Sequence, residues 1–599
     1  MKTTEKPLLF DRRFWPIFWT QFLGAFNDNV FKNALVILIT FKAYSIAGLS
    51  PEQMVALSGG VFILPFFLFS AIAGQIADKL PKSSIVVGVK LSEIAFMILG
   101  TVGFLTEHLS LLMATLFLMG LHSTFFGPIK YSILPEVIEN DELVAGNAYV
   151  ELGTFLAILL GTILGGTLIS VQGAGAWLVG GTTILLACAG TWTGLKVLKL
   201  EPSRPDLKIQ WDGVRPTIQI LKLVTEIRSV FLSVLGISWF WFLGAAFLSL
   251  LPPYCKDFLH SSESLVTFFL ALFSIGVGLG SLLCEKFSFR KLELGLVPVG
   301  SIGISLFLID LYFASQGFER PESLLTVGGF LSTWTGWRIT IDLILFSMFS
   351  GFFIVPLYTL IQQRAEPGTR SRIIAANNII NAFFMVISSV GLAGLYALKL
   401  SIPQIFMILS LLNVAVAIYI YTVIPEFLFR FICWCLANLL YRLKMKGVDY
   451  IPDEGPAVLV CNHVSFIDWL IIASATQRPV RFVMHHSFMK IPFAGWIFRD
   501  AKVIPIAGSK EDPEILNEAF DRIAHELRAG ELVCIFPEGA ITHDGEVAKF
   551  RPGIERILKE TPVPVVPMAL DGLWGSFFSR KGGNALRKPF RRFWSRVSL

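Results

Sequence analysis

The sequence predicts an α-helical polytopic membrane protein of twelve spans followed by an α/β domain. Two observations carry this. The 599 residues are 54% hydrophobic and only 16% charged, whereas soluble domains carry about 25% charged residues. The apolar character is also uneven: residues up to about 425 are very apolar, and the rest has the mixed pattern of a soluble protein with basic edges. At this length two or more domains are expected.

A spanning helix needs about 20 mostly apolar residues. Twelve stretches qualify, centred near residues 27, 65, 95, 120, 160, 185, 240, 275, 304, 350, 385 and 412. The longest polar interruption, about 196–228, separates the sixth from the seventh. Six spans, a polar loop and six more spans resembles the major facilitator layout of two parallel halves. Lys and Arg gather after even-numbered spans: Lys79 and Lys82, the central loop, Lys286 with Arg290 and Lys291, and Arg364 with Arg370 and Arg372. The positive-inside rule then puts both termini, the central loop and the C-terminal domain in the cytoplasm. Met1 to Arg13 is polar and runs straight into a long span, so no cleavable signal peptide is expected.

Gly74-Gln75-Ile76-Ala77-Asp78-Lys79, between spans two and three, resembles the G-x-x-x-D-R/K loop motif of major facilitator transporters. Its glycine allows tight helix approach. Asp78 and Lys79 are expected to cap helix ends and pair across a cytoplasmic gate. Polar residues inside spans are costly in lipid and are functional candidates. Asn27, Asp28, Asn29, Lys32 and Asn33 lie mid-span in the first helix, Lys130 ends span four, Asn147 and Glu151 open span five, and Asn377, Asn378 and Asn381 line span eleven. Asp28 and Glu151 are candidates for a coupling cation and Lys130 for a lipid phosphate. Helix–helix hydrogen bonding is the alternative for each. Asn27 to Asn33 and Gly127-Pro128-Ile129-Lys130-Tyr131 resemble the corresponding stretches of the bacterial lysophospholipid transporter family. That resemblance, over about residues 10–425, implies a cargo of lysophospholipid, chiefly lysophosphatidylethanolamine, moved to the cytoplasmic leaflet.

Phe427 to Tyr441 is apolar but short for a crossing, and Arg430 and Arg442 flank it. It reads as an interfacial linker helix, about 426–445. From residue 446 the pattern alternates. Ala457 to Val460, Val480 to Met484, Val503 to Ile506, Leu532 to Phe536 and Val563 to Pro567 are strand candidates, with helices such as Pro513 to Arg528 between them. Such alternation predicts an α/β domain over 446–599. The final residues, Phe593 to Leu599, read as the start of a strand, which suggests a truncated or split protein.

Asn462-His463-Val464-Ser465-Phe466-Ile467-Asp468 follows the first of these strands, and Phe536-Pro537-Glu538-Gly539 follows a later one. The pair resembles the HX4D and FPEG signature of glycerolipid acyltransferases. The resemblance implies that His463 is a general base for the lysolipid hydroxyl. Asp468 would fix its tautomer, as in a Ser-His-Asp relay with the substrate hydroxyl in place of serine. Glu538 is expected to be structural or substrate-orienting. Two arginines usual in the family are missing: Ala540-Ile541-Thr542 follows Gly539, and Lys502 to Gly508 ends in glycine. Arginine suits a phosphate dianion, so its loss favours an acceptor with a phosphodiester head group. Asn462, Phe536, Pro537, Glu538, Gly539, Arg499, Lys502 and Arg551 are the substrate-binding candidates, with Lys510 and Lys549 as further cations.

The whole resembles bacterial transporter–acyltransferase proteins of phospholipid repair, the acylglycerophosphoethanolamine acyltransferases, in the inner membrane. It implies an acyl carrier protein thioester, or acyl-CoA, as co-substrate and a separate acyl-carrier-protein synthetase as a partner. No bound cofactor is expected. Two alternatives stay open: a transporter of another amphiphile with an unrelated fused enzyme, and a lysophosphatidate acyltransferase with an inert membrane anchor.

The net charge of +6 is too small to suggest a nucleic-acid partner. Basic residues cluster at Arg430, Arg442, Lys444 and Lys446, at Arg580-Lys581, and from Arg587 to Arg596. Phe577, Phe578, Phe590, Phe593 and Trp594 accompany the later clusters. Such mixing suits an anionic membrane surface. The seven cysteines show no disulfide or metal spacing, and Cys433-Trp434-Cys435 reads as packing. His485-His486 is the one adjacent histidine pair, and nothing near it is expected to complete a metal site.

Overall fold

The computed structural model describes residues 7–42, 50–212, 214–288, 292–318, 322–423, 425–452, 455–476, 478–492, 494–583, 585 and 592–599. Expectations at Met1 to Lys6, Arg290, Lys291, Arg587 and Phe590 fall outside them. The chain forms two compact units, Met1–Leu292 with Leu296–Ala417, and Glu293–Gly295 with Ile418–Leu599. The expected boundary near 425 lies a few residues beyond that division.

Among the described residues, twelve apolar helices are long enough to cross a membrane, all but the end of the last within the first unit. They are Trp15–Thr40, Gln53–Lys79, Lys82–Leu105, Leu109–Ser132, Asn140–Ile169, Gly175–Gly194, Arg228–Phe258, Glu263–Ser288, Leu296–Gln316, Trp334–Arg364, Arg370–Ala397 and Ile402–Ile420, here spans 1 to 12. In lipid every backbone group must be paired within the segment, which a helix alone achieves for a single strand of chain. Local signals set the ends: a capping box of Ser50 and Gln53 with Pro51 starts the second helix. The central loop is not wholly irregular. Val214–Glu226 is an amphipathic helix that buries Pro216, Ile220 and Val224 against spans 7 and 11. The four-residue spacing of those three positions was the available signal.

The second unit is built on a parallel sheet in the order β4-β3-β5-β2-β6. The strands are β2 Ala457–Cys461, β3 Val480–His485, β4 Ile504–Ile506, β5 Leu532–Ile535 and β6 Val565–Met568. All five expected strands form, and the helix Pro513–Arg528 forms between its expected ends. Alternate strand residues enter two cores. Leu459, Cys461, Leu532 and Cys534 pack with Phe482 and the helix Asp468–Ala475. Val458, Val533 and Ile535 pack on Ala519, Phe520, Ile523 and Leu527 of the helix on the other face. Two-sided burial is why these strands read as continuous apolar runs.

The linker segment is more than a linker. Its helix is Pro425–Leu440, and Cys433 and Ala437, with Tyr441 just beyond it, lie in the core of the α/β unit. Ile432, Leu436 and Leu439, one face at helical spacing, remain exposed, which suits an interfacial helix. Cys433 is packed as expected, but Cys435 is exposed, because the two lie on different faces. Residues 442–444 are strand, not helix: β1 Arg442–Lys444 pairs in parallel with β7 Arg596–Ser598, so the expected terminal strand is formed and partnered.

Candidate active site

β2 and β5 are hydrogen-bonded neighbours, with Val460 opposite Ile535. The residues that follow each strand therefore emerge side by side at the carboxyl edge of the sheet, where open α/β sheets bind ligands. This brings Asn462-His463 against Phe536-Pro537-Glu538-Gly539.

His463 Nδ1 lies 2.8 Å from Asp468 Oδ2. That leaves Nε2 as the nitrogen for substrate, on a ring that is 21% exposed while Asp468 is fully buried. Asp468 also accepts from Val464 N at 2.6 Å and Ser465 N at 2.9 Å, and from Ser465 Oγ at 2.6 Å. Four donors around one buried carboxylate fix it in place. Ser465, which the sequence reading passed over, is thus part of the site. The HX4D spacing works because Asp468 opens the helix Asp468–Ala475, whose turn folds the carboxylate back onto the histidine.

Glu538 is a backbone clamp. One carboxylate oxygen accepts from His463 N at 2.8 Å and the other from Ala548 N at 2.7 Å. The Phe536 ring stacks on the imidazole with centroids 4.1 Å apart. Thr542 N donates to His463 O at 2.9 Å. Gly539 has φ +68, and a Cβ there would meet the Arg551 guanidinium at 2.7–2.8 Å, so only glycine meets both demands. Arg551 is thereby the one expected cation that the structure lays on this turn; its N–H also donates to Pro537 O at 2.8 Å.

Asn462 differs from expectation. Its amide donates to Leu570 O at 3.0 Å and accepts from Leu570 N at 2.7 Å. Both ends are spent on backbone, so it positions the turn rather than binding substrate. Arg499 and Lys502 have exposed side chains, Arg499 in the helix Ala494–Asp500 and Lys502 just after it; Lys510 and Lys549 are exposed as well. Cys461 precedes the motif but is 1% exposed, and burial pushes its thiol up to about 12. Burial keeps this thiol from serving as an exposed thiolate nucleophile.

The histidine pair also differs from expectation. Glu511, 25 residues on from His486, lies 3.0 Å from the Nε2 of both His485 and His486. Pairing of β3 with β4, with His485 opposite Ile506, closes that sequence gap.

An expected outcome tests the clamp. Glu538→Gln turns an NH2 toward one of the two N–H groups. Losing a hydrogen bond to a charged acceptor costs about 1.5–3 kcal/mol, so initial rates of acyl transfer should fall roughly 10- to 100-fold. An unchanged rate would remove Glu538 from the positioning of His463.

In the first unit, Asp78 is fully buried and accepts from Ser371 N at 3.2 Å and Arg372 Nε at 2.9 Å. It caps span 11 from span 2, joining the two six-span halves. A Cβ on Gly74 would lie 2.7 Å from Ala375 Cβ and 3.0 Å from Arg372 Cα, so this glycine is what lets spans 2 and 11 meet. Asn147 bonds Gln362 at 2.6 Å and Thr359 at 3.0 Å on the same side of the bundle. Asp78, rather than Lys79, makes the contact between halves.

Mid-span, Asn27 donates to Glu93 at 2.7 Å, Lys90 donates to Glu93 at 2.7 Å, and His122 Nε2 lies 3.2 Å from Glu93. Asp28 accepts from Ser123 at 2.7 Å. Lys90, Glu93 and His122 were missed, although polar residues within spans three and four carry the same signal as Asp28. Lys32 lies over the Phe62 ring at 5.2 Å. Asn29 donates to Ala25 O within its own helix, and Asn33 to Thr162 O; for Asn33 this is the helix–helix alternative. Lys130 donates to Thr154 at 2.7 Å, and Tyr131 donates to Glu151 at 2.5 Å. These two groups join spans 4 and 5 and do not touch Asp28.

Residues 17–389 match the Major Facilitator Superfamily profile, and residues 442–571 match the Acyltransferase profile. The lysophospholipid transporter LplT of Cronobacter sakazakii is 26% identical over 409 residues, 66% of this chain and 91% of that protein. Its Klebsiella pneumoniae counterpart is 27% identical over 407 residues, 66% of this chain and 91% of that protein. Among solved structures, the human organic anion transporter MFSD10 superposes with TM-score 0.53 at 13% identity, over 69% of this chain and all of that one. FucP in its outward conformation gives 0.52 at 11% identity, over 68% of this chain and 98% of that one; both bear on the fold alone. The chain belongs to the Major Facilitator Superfamily and carries an acyltransferase domain after its twelve membrane spans.

Proposed function

We propose that the chain moves a lysophospholipid across the bacterial inner membrane and reacylates it. The observation that carries the enzymatic half is the His463–Asp468 pair held against the 536–539 turn. His463 Nε2 takes the proton of the lysolipid hydroxyl, and the alkoxide attacks a thioester carbonyl. The tetrahedral intermediate collapses to the ester and expels the thiolate, to which the imidazolium returns the proton. Acyl carrier protein is the proposed thioester carrier, supplied by a separate synthetase.

The names of the relatives support lysophospholipid as cargo. Lysophosphatidylethanolamine is the proposed acceptor because two arginines usual in the resembling family are missing, which favours a phosphodiester over a phosphate dianion. The side closed by Asp78 and Arg372 carries Lys79, Lys82, Arg364 and Arg370, which supports its assignment as cytoplasmic. Both termini then lie in the cytoplasm, and the domain meets its substrate at the inner leaflet. Joining the two steps in one chain raises the effective concentration of cargo at the enzyme.

Labelled lysophosphatidylethanolamine given to spheroplasts lacking their own repair pathway tests this. Cells making the protein should form labelled diacyl lipid, and Asp28→Asn should slow its appearance. Acylation of lysophosphatidate but not lysophosphatidylethanolamine in broken membranes would overturn the proposed acceptor. Unchanged entry in the Asp28 variant would remove that residue from transport.

A further inference from the structure

β3 ends in His485, and β4 is followed by a tight turn in which Glu511 N donates to Gly508 O at 2.9 Å. Strand pairing places these two loops side by side, and three side chains converge. Each Glu511 oxygen lies 3.0 Å from the Nε2 of a different histidine, and a donor set of His485, His486 and Glu511 has its atoms all within 4.8 Å of one another. We propose that His485, His486 and Glu511 form a binding site for a divalent metal ion of borderline softness, zinc first among them.

The geometry suits this class of ion. Zinc lies about 2.0–2.2 Å from imidazole nitrogen and carboxylate oxygen in a tetrahedral set, which puts neighbouring donors roughly 3.4 Å apart. Each histidine nitrogen already lies 3.0 Å from a Glu511 oxygen, the donor set lies within 4.8 Å, and the side chains are exposed enough to adjust. His485 also has an outer partner: its Nδ1 lies 2.8 Å from Ser487 Oγ. Ser487 N also donates to that Nδ1 at 3.4 Å. The two contacts fix the ring and leave Nε2 facing Glu511. Two imidazoles and one carboxylate favour zinc, copper or nickel over magnesium and calcium, which prefer all-oxygen sets.

The side chains of His485 and Glu511 are 43% and 49% exposed, so an ion can enter from solvent, and a fourth position stays open to water or an anion. The site lies on the carboxyl edge of the same sheet as His463, with β5 between β3 and β2. It acts as a clamp between the loops after β3 and β4 and takes no part in proton transfer at His463. The inference stands apart from the choice of acyl acceptor or cargo.

The test uses the full-length chain in detergent, purified without a polyhistidine tag, stripped with chelator and titrated with zinc against a chromogenic competitor. Wild type should hold one equivalent. His486→Ala and Glu511→Gln should each weaken binding by more than about 100-fold, and Ser487→Ala, acting through the outer partner, by about 10-fold. His525→Ala, at an 80% exposed side chain, should bind as wild type does. Thermal unfolding of the stripped proteins confirms that each variant is folded. Zinc binding no tighter in wild type than in His486→Ala, or an equal loss in His525→Ala, would overturn the site.

Discussion

His463→Ala is expected to lower acyl transfer by about 10²- to 10⁴-fold, the span of a lost general base, while lysolipid entry continues. The imidazole faces the site and is oriented by a buried carboxylate: Asp468 holds Nδ1 at 2.8 Å. The nearby Cys461 thiol is buried and does not stand in for it. Asp468→Asn should do nearly as much damage. An amide can turn its NH2 toward Nδ1 and favour the wrong tautomer, and it leaves the Val464 and Ser465 N–H groups competing for one oxygen. The two variants separate the halves of the chain. Labelled lysolipid should accumulate unmodified inside spheroplasts carrying either one. Diacyl product at the wild-type rate would sink the assignment of His463 as base, and absence of entry would show that transport and acylation are obligatorily coupled.

Asp78→Asn is expected to open the contact between the six-span halves. The carboxylate is fully buried, and removing it strands Arg372 and the amide of Ser371. Breaking a buried ion pair costs about 3–5 kcal/mol, so the closed arrangement should lose population by roughly 100-fold or more relative to the open one. Gly74→Ala reaches the same end sterically. Its new Cβ would lie 2.7 Å from Ala375 Cβ and 3.0 Å from Arg372 Cα, and neither of those atoms can rotate away. Spin labels at the exposed Leu80 and Gln363 should report a longer distance distribution in both variants, with slower lysolipid entry. An unchanged distribution would mean that the contact follows closure instead of holding it.

Much of the candidate site was legible because its signals are local. HX4D works through the short turn that leads into the helix Asp468–Ala475, so resemblance to a known motif was enough to pair His463 with Asp468. The twelve spans follow from the cost of unpaired backbone in lipid, which any apolar stretch of sufficient length must meet as a helix. Gly74 and Asp78 stood out because a tight approach and a buried charge each narrow the choice of residue. Roles that depend on partners far along the chain were harder. Asn462 read as a substrate ligand until Leu570 took both ends of its amide. The Lys90–Glu93–His122 group gave the same in-span polar signal as Asp28, but only helix packing shows that it converges with Asn27.

Sequence by itself determined the two-part architecture, the twelve spans and the five strands of the main sheet. Those rest on hydrophobic length, period and short-range spacing, which are properties of neighbouring residues. Tertiary structure decided which of the expected cations lies on the catalytic turn, what Glu538 holds, that the helix Pro425–Leu440 contributes to the core of the α/β unit, and that Glu511 meets His485 and His486. The contacts of Glu538 with His463 and of Glu511 with the histidine pair depend on strand order. In β4-β3-β5-β2-β6, residues 25 to 108 positions apart become neighbours. Which strands lie side by side is set by packing over the whole domain, and no local run of residues encodes it.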